Sequence, residues 1–147
     1  MRLQRLNPGS VVMAAVQAIS KALHDGKILV LNVLSGHTIT LPAAVGSGAT
    51  FTFIETVAPT SATTVIKVQN GIDVMMGSVR TSLGTGVGTN FPTAATSDTV
   101  TLNRGTTGGV SNGEWIQFID VAPGFWLVEG ALNGSGALAT PFSATVT

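Results

Sequence analysis

The chain has no cysteine and few charged residues. Without cysteine it can form neither a disulfide framework nor a thiolate metal site. Charged residues make up 10% of the sequence, against roughly 25% in an ordinary soluble domain. Seven basic and seven acidic residues give a net charge of zero, which favours association over repulsion between molecules. We therefore expect part of the surface to be covered by a partner.

The basic residues form no cluster along the chain. They are Arg2, Arg5, Lys21, Lys27, Lys67, Arg80 and Arg104. Such scattered positions offer no stripe that would neutralise a run of phosphates, so we predict no nucleic-acid binding. No apolar run reaches the 18 or so residues of a membrane span, so we expect a soluble chain without a membrane partner.

Glycine, proline and short β-rich segments dominate what is present. With 147 residues the chain has the length of one domain, and 18 Gly and 6 Pro divide it into short pieces. Nine pieces rich in Val, Ile, Thr and Phe are candidate strands, most with alternating apolar and polar positions. Their spacing predicts an all-β fold, an antiparallel β-sandwich. The candidate strands are 27–34, 37–41, 50–56, 64–69, 73–79, 98–103, 114–121, 125–132 and 142–147.

Two stretches are harder to assign. Residues 84–97, "GTGVGTNFPTAATS", are predicted to form an irregular surface loop. Residues 11–24 fit a helical face with Ser10 as its cap, but Ile19, Lys21 and Leu23 also alternate, and we favour an extended conformation.

No motif predicts catalysis or metal binding. "GVSNG" at 109–113 matches the nucleophile-elbow pattern around Ser111, but a strand rather than a helix follows it, and both histidines precede it. His24 and His37 lie 13 residues apart without acidic partners at ligand spacing, and the acids are spread singly. We therefore expect no enzyme, no metal site and no cofactor.

The aromatic residues and adjacent methionines have structural interpretations. Trp115 and Trp126 lie on two neighbouring predicted strands, where large rings fill a sandwich core or a subunit contact; a sugar-stacking platform is the alternative. In a strand, one of Met75 and Met76 must face inward and the other outward.

Several blocks of the sequence resemble small β-rich virion proteins of tailed bacteriophages, and more narrowly their capsid decoration, or cement, proteins. The resemblance covers roughly residues 22–147 and consists of strand and turn patterns. Its blocks are "ALHDGKILVLN", "GHTITLPAAVGSGATFTFIE", "VIKVQNGIDVMMG", "FPTAATSDTVTLNRGTTGG" and "GALATPFSATV".

The resemblance implies a jelly-roll-like sandwich and a structural function. Proteins of this type are commonly homotrimers on the outer surface of the phage capsid, where they contact the major capsid protein and reinforce the shell. A tail-fibre or receptor-binding module of the virion is one alternative, and a carbohydrate-active enzyme, which would need two carboxylates about 5 to 10 Å apart in a cleft, is another. The resemblance supplies no catalytic residues.

Residues 1–21 lie outside the resemblance and contain no acidic residue. Pro8 and Gly9 separate the two arginines from the apolar run that follows, and Gln17 shortens that run. We therefore expect this segment to be part of the mature chain rather than a signal peptide. We predict an N-terminal arm over 1–21 that reaches out of a sandwich domain over 22–147 to a neighbouring subunit or the capsid. Its candidate interface residues are Arg2, Leu3, Arg5, Leu6, Val11, Val12, Met13 and Val16.

Overall fold

The structure is a computed structural model that describes residues 9–147. It contains one short helix, α1 (Lys21–His24), and the rest of its regular structure is β. The strands in chain order are β1 (Ser10–Val12), β2 (Val16–Ala18), β3 (Ile28–Leu31), β4 (Thr38–Thr40), β5 (Thr50–Glu55), β6 (Thr64–Lys67), β7 (Val74–Leu83), β8 (Gly88–Pro92), β9 (Thr99–Leu102), β10 (Trp115–Ala122), β11 (Phe125–Gly134) and β12 (Phe142–Ser143).

The strands form two sheets that pack face to face. The seven-stranded sheet has the order β1-β3-β5-β10-β11-β7-β8, and the five-stranded sheet has the order β12-β9-β6-β4-β2. The predicted all-β sandwich is therefore confirmed. Each of the nine predicted strands corresponds to an observed one.

The first six strands wind between the sheets as a coil. The chain enters the sheets alternately, and each new strand lies parallel beside the previous strand of the same sheet, as in β1-β3-β5 and β2-β4-β6. Five of the ten strand pairs in the described residues are parallel. The sheets are consequently mixed rather than antiparallel as expected, and this half departs from the antiparallel pattern of a jelly roll.

Alternating side chains along the central strands fill the space between the sheets. In β10, Ile116 and Phe118 point inward. Phe118 meets Phe53 edge to face, with ring centroids 6.0 Å apart, and Trp126 packs against Phe51 at 5.7 Å. Aromatic pairs at these separations add to the stabilisation from buried apolar area.

The N-terminal segment is part of this sandwich from residue 10 onward, which corrects the expected arm. Ser10–Val12 pairs with β3, and Val16–Ala18 pairs with β4, so the segment forms the edge strand of each sheet in turn. Between and after these strands, Met13 and Ile19 are buried in the core, at 2% and 4% exposure. Residues 11–24 are accordingly extended before they end in α1. The first eight residues lie outside the described part of the chain.

The stretch 84–97 is also more ordered than predicted. It contains β8, which pairs antiparallel with β7 over Gly88–Pro92. This strand was not predicted because it contains glycine and proline, which are rare in strands. It lies at the edge of the sheet, where proline is tolerated.

Candidate interaction surface

The residues predicted to form an interface lie in different environments. Val12 and Val16 are exposed, the latter at 78%, while Val11 is half-buried and Met13 is buried in the protein's own core. Arg2, Leu3, Arg5 and Leu6 lie outside the described residues. Of the named set, Val12 points outward from the seven-stranded sheet, next to a much larger apolar surface that the sequence analysis did not single out.

That surface is the outward side of the seven-stranded sheet. One row of side chains crosses four neighbouring strands in register, because Val12 pairs with Val30, Val30 with Ile54, and Ile54 with Trp115. Their sequence neighbours Leu29, Leu31, Phe53 and Ile116 point into the core. Both sides of these strands are therefore apolar, which is unusual for a sheet with one face free of its own domain.

A second apolar group lies farther along β10, β11 and β7, and the registered polar row Thr52, Gln117, Glu129 and Ser78 separates it from the first. Ile119 pairs with Leu127, and Leu127 pairs with Met76; Phe125 precedes them on β11. Met76 and Phe125 are 45% and 44% exposed. Met75, the neighbour of Met76, is buried, so the two methionines face opposite sides as predicted. We call the whole set the apolar face: Val12, Val30, Ile54, Trp115, Ile119, Leu127, Met76 and Phe125.

Two exposed charges of opposite sign lie beside the apolar face. Arg80 on β7 pairs with Ala131, and Glu129 on β11 pairs with Ser78, so they are diagonal neighbours on adjacent strands. Within the described residues the single ion pair joins Lys21 and Asp120. Arg80 and Glu129 thus have no ion-pair partner among residues 9–147.

The outward side of the five-stranded sheet has a different composition. Its registered rows are Val16, Thr38, Val65 and Thr101, then Ala18, Thr40, Lys67, Thr99 and Ser143. Threonine dominates this side: Thr38, Thr40 and Thr101 are half-buried, and the buried hydroxyl of Thr99 bonds to Asp98 and Thr145. The outward side of the seven-stranded sheet thus carries more large apolar side chains than that of the five-stranded sheet, and it is the candidate interaction surface.

Buried carboxylates hold the loops that connect the strands. Asp120 is fully buried on the inward side of β10 and accepts hydrogen bonds from the amides of Val45, Gly46 and Ser47, at 2.7–3.0 Å, and from the Ser47 hydroxyl at 2.6 Å. Lys21 Nζ lies 3.2 Å away. Burial alone would raise the pKa of Asp120, but the hydrogen bonds from Ser47, Gly46 and Lys21 outweigh it and lower the pKa to about 2.

Asp98 and Asp73 have the same function in two other places. Asp98 accepts from the amides of Thr145 and Val146 and so fixes the C-terminal residues against β9. Asp73 accepts from the Ala44 amide at 2.9 Å and from the side chain of Asn70. These acids explain how a chain with so many glycines keeps its loops in place.

Glu55 and Glu114 lie at one end of the sandwich, and only the carboxyl group of Glu114 accepts hydrogen bonds. Glu114 accepts from the amides of Gly109, Val110, Ser111 and Asn133 at 2.5–3.0 Å. Both carboxyl oxygens of Glu55 are buried without a partner. Burial, with a smaller contribution from Glu114, raises the pKa of Glu55 to about 8, so the group is neutral at pH 7.

Both carboxyl groups line a narrow cleft together with Trp115. Its other walls are apolar side chains: Leu31, Phe53, Leu102, Ile116 and Leu132. The empty space is about 180 Å³, including the part open to solvent, and no water-sized sphere fits inside. The cleft thus brings together two carboxyl groups, one without a hydrogen-bond partner and one with four amide donors.

The other residues considered for chemistry have structural hydrogen bonds. The Ser111 hydroxyl accepts from the Asn133 side chain at 2.6 Å, in a turn before a strand. His37 Nδ1 contacts the carbonyl oxygen of Ala14 at 2.9 Å, and its Nε2 accepts from the Val33 amide. Burial lowers the pKa of His37, and the Ala14 contact opposes this only in part. In residues 9–147 no group of three His, Asp or Glu side chains is placed to hold a metal ion.

The two tryptophans divide between core and surface. Trp126 is fully buried, whereas Trp115 is 36% exposed on the apolar face. Among the described residues no helix is long and apolar enough to cross a membrane.

Two of these features have a local signal in the sequence. "KILVLN" has apolar residues at consecutive positions, which marks a strand with two covered sides. In "TFTFIE" and "EWIQFID", alternation places Glu55 and Asp120 on the same side as the phenylalanines.

Comparison of the chain with protein-family models, with curated proteins and with solved structures finds no match.

Proposed function

We propose that the protein is a structural component of a tailed-bacteriophage virion that decorates the outer surface of the capsid as a cement protein. In this proposal it acts as a homotrimer, contacts the major capsid protein and stabilises the shell. It performs no catalysis and needs no cofactor. The proposal begins from the resemblance of residues 22–147 to decoration proteins.

The observation that carries the proposal is the apolar face. A β-sandwich that carries two groups of apolar side chains on one outer side is suited to assembly, because covering those side chains with another protein lowers the free energy. The loops between its strands are held by buried carboxylates, so little ordering is needed on binding. Both properties suit a rigid protein that fits onto a preformed lattice.

Stabilisation of the shell would follow from mass action. A protein that binds the assembled shell but not its separate subunits contributes about 2.7 kcal/mol per site when its free concentration is 100 times its dissociation constant. The many equivalent sites of a capsid add these contributions.

The test compares virions that contain the chain with virions that lack its gene. We expect electron microscopy to show density for the chain on the head, and we expect heads without it to assemble but to release their DNA at a lower temperature. Equal release temperatures, or absence of the chain from the particle, would overturn the proposal.

A tail-fibre or receptor-binding module is a second candidate, favoured by the partly exposed ring of Trp115 beside the cleft. The same micrographs separate the two candidates, since density on the tail would support the second and not the first.

A further inference from the structure

We propose that a second copy of this chain covers the apolar face, so that copies of the protein contact one another through the outward sides of their seven-stranded sheets. This inference gives a location to the self-association in the proposed function, but it rests on the sheet geometry and needs no capsid.

The sheet side that carries the apolar face is large enough for a stable contact between subunits. Strands lie about 4.8 Å apart and rise about 3.3 Å per residue, so the whole outer side of the seven strands, of which the apolar face is a part, measures on the order of 700 Å². Stable protein interfaces bury about 800 Å² on each partner, with a lower limit near 600 Å². A second sheet packed on this one would therefore bury enough area to hold two copies together.

The composition of the face resembles the centre of an interface. Trp115 is a large aromatic residue that pairs with Ile54, and Ile119 lies on the same side of β10 beyond Gln117. Tryptophan is enriched among the residues that dominate binding energy. Met76 adds a flexible apolar side chain that adapts to a facing surface.

The charges beside the face complement each other. Arg80 and Glu129 have opposite signs, lie on neighbouring strands and have no ion-pair partner within the described part of the chain. In a contact between identical copies, Arg80 of one copy can lie against Glu129 of the next. A face that carries one charge of each sign is complementary to itself, whereas it offers no net charge to attract a strongly charged partner.

The experiment measures the mass of the full-length protein in solution by light scattering and sedimentation, from about 1 to 100 µM. One chain has a mass of 14.9 kDa. We expect the wild-type protein to have the mass of two or three chains. Ile119→Lys places a charge in the face and should raise the dissociation constant at least tenfold.

Val65→Lys is the matched control. Val65 is also a half-buried β-branched residue on a central strand, but it points outward from the five-stranded sheet. It should leave the mass unchanged, and the melting temperatures of both variants show that they fold.

A charge exchange tests the orientation of the copies. Arg80→Glu and Glu129→Arg should each weaken association about three- to tenfold, and the double variant should restore most of it. The isolated chain has no Arg80–Glu129 ion pair, so this rescue would report a contact between copies.

Three results would overturn the inference: a wild-type monomer at 100 µM, an equal effect of Ile119→Lys and Val65→Lys, or a monomer whose binding to heads is lost in Ile119→Lys. The last result would assign the face to the capsid protein and leave the proposed function intact. A self-associated protein that is absent from virions would do the reverse.

Discussion

The backbone amide of Glu55 donates to the carbonyl oxygen of Glu114 over 2.8 Å, yet the side chains of these two residues have opposite hydrogen-bonding states. Glu114 is surrounded by four amide donors, and Glu55 has none. Burial keeps the proton on Glu55, and the nearby charge of Glu114 adds to this effect.

The stability of the protein should fall as the pH rises towards 8. The pKa of Glu55 is raised from 4.5 to about 8, so the folded protein keeps a proton that the unfolded chain loses. The contribution of this group is complete below pH 4.5 and is lost as the pH rises through about 8, by up to about 1.4 kcal/mol per pH unit. The pKa of His37 is lowered, so its contribution makes the stability rise with pH below 6.5. Urea unfolding is therefore best measured between pH 6.5 and 8.5.

Glu55→Gln supplies the comparison, because glutamine imitates the neutral acid and does not ionise. Its free energy of unfolding should change less with pH over the same range, and the two proteins should diverge as the pH increases. Glu55→Leu should also lack the slope. Parallel curves for all three proteins would show that Glu55 ionises in the folded state without cost.

Removing the charge of Asp120 should be strongly destabilising. Asp120→Asn leaves Lys21 without its partner and turns an amide group towards the donors at residues 45–47, so we expect a loss of about 3 kcal/mol at pH 7. Asp25→Asn is the control, since Asp25 is exposed and accepts one hydrogen bond, from Thr50; its cost should stay under about 1 kcal/mol.

The pH dependence of Asp120 provides an independent measurement. Its pKa is lowered from 3.8 to about 2, so its stabilising contribution is present above 3.8 and is lost as the pH falls from 3.8 through about 2. An Asp120→Asn protein should not show this loss of stability between pH 3.8 and 2. If the variant and the wild type lose stability equally between pH 4 and 2, the hydrogen bonds to Asp120 do not depend on its charge.

A side chain at Gly77 should disrupt the parallel pairing of β7 and β11. Gly77 has φ +134°, and a Cβ there would lie against the carbonyl oxygen of Val128, well inside van der Waals contact. Gly77→Ala should therefore cost more than about 3 kcal/mol or prevent folding. Gly84→Ala, in the turn after β7 where a Cβ meets nothing within 4 Å, should be nearly neutral. Similar unfolding midpoints for the two variants would contradict this.

The strands could be predicted because their alternation is local. "TFTFIE" places Phe51 and Phe53 on one side whatever its neighbours are, and β5 has this arrangement. The pairing was not predictable in the same way. Parallel neighbours such as β3 and β5 are joined through a strand of the other sheet, and no turn signal marks that relationship.

The buried carboxylates show the same division. The sequence places Asp120 on the inward side of its strand, but its donors at residues 45–47 are more than 70 positions away. The apolar face likewise consists of one or two residues from each of several strands. It becomes a surface only after the register between those strands is known.

The last prediction concerns the N-terminal strands, where the expected arm had to be corrected. Because Met13 is buried between the sheets, Met13→Ala should lower the free energy of unfolding of the isolated protein by about 2 to 5 kcal/mol. Val16, three residues later, is 78% exposed, and Val16→Ala should change it by less than about 0.5 kcal/mol. An arm outside the domain would make both changes neutral in the isolated protein. If the segment is part of the domain, only Met13→Ala is destabilising. Deletion of residues 2–18, which removes one edge strand from each sheet, should then destabilise the sandwich itself and not only its attachment. Urea unfolding of the two point variants distinguishes these cases, and equal unfolding midpoints would support an arm outside the domain.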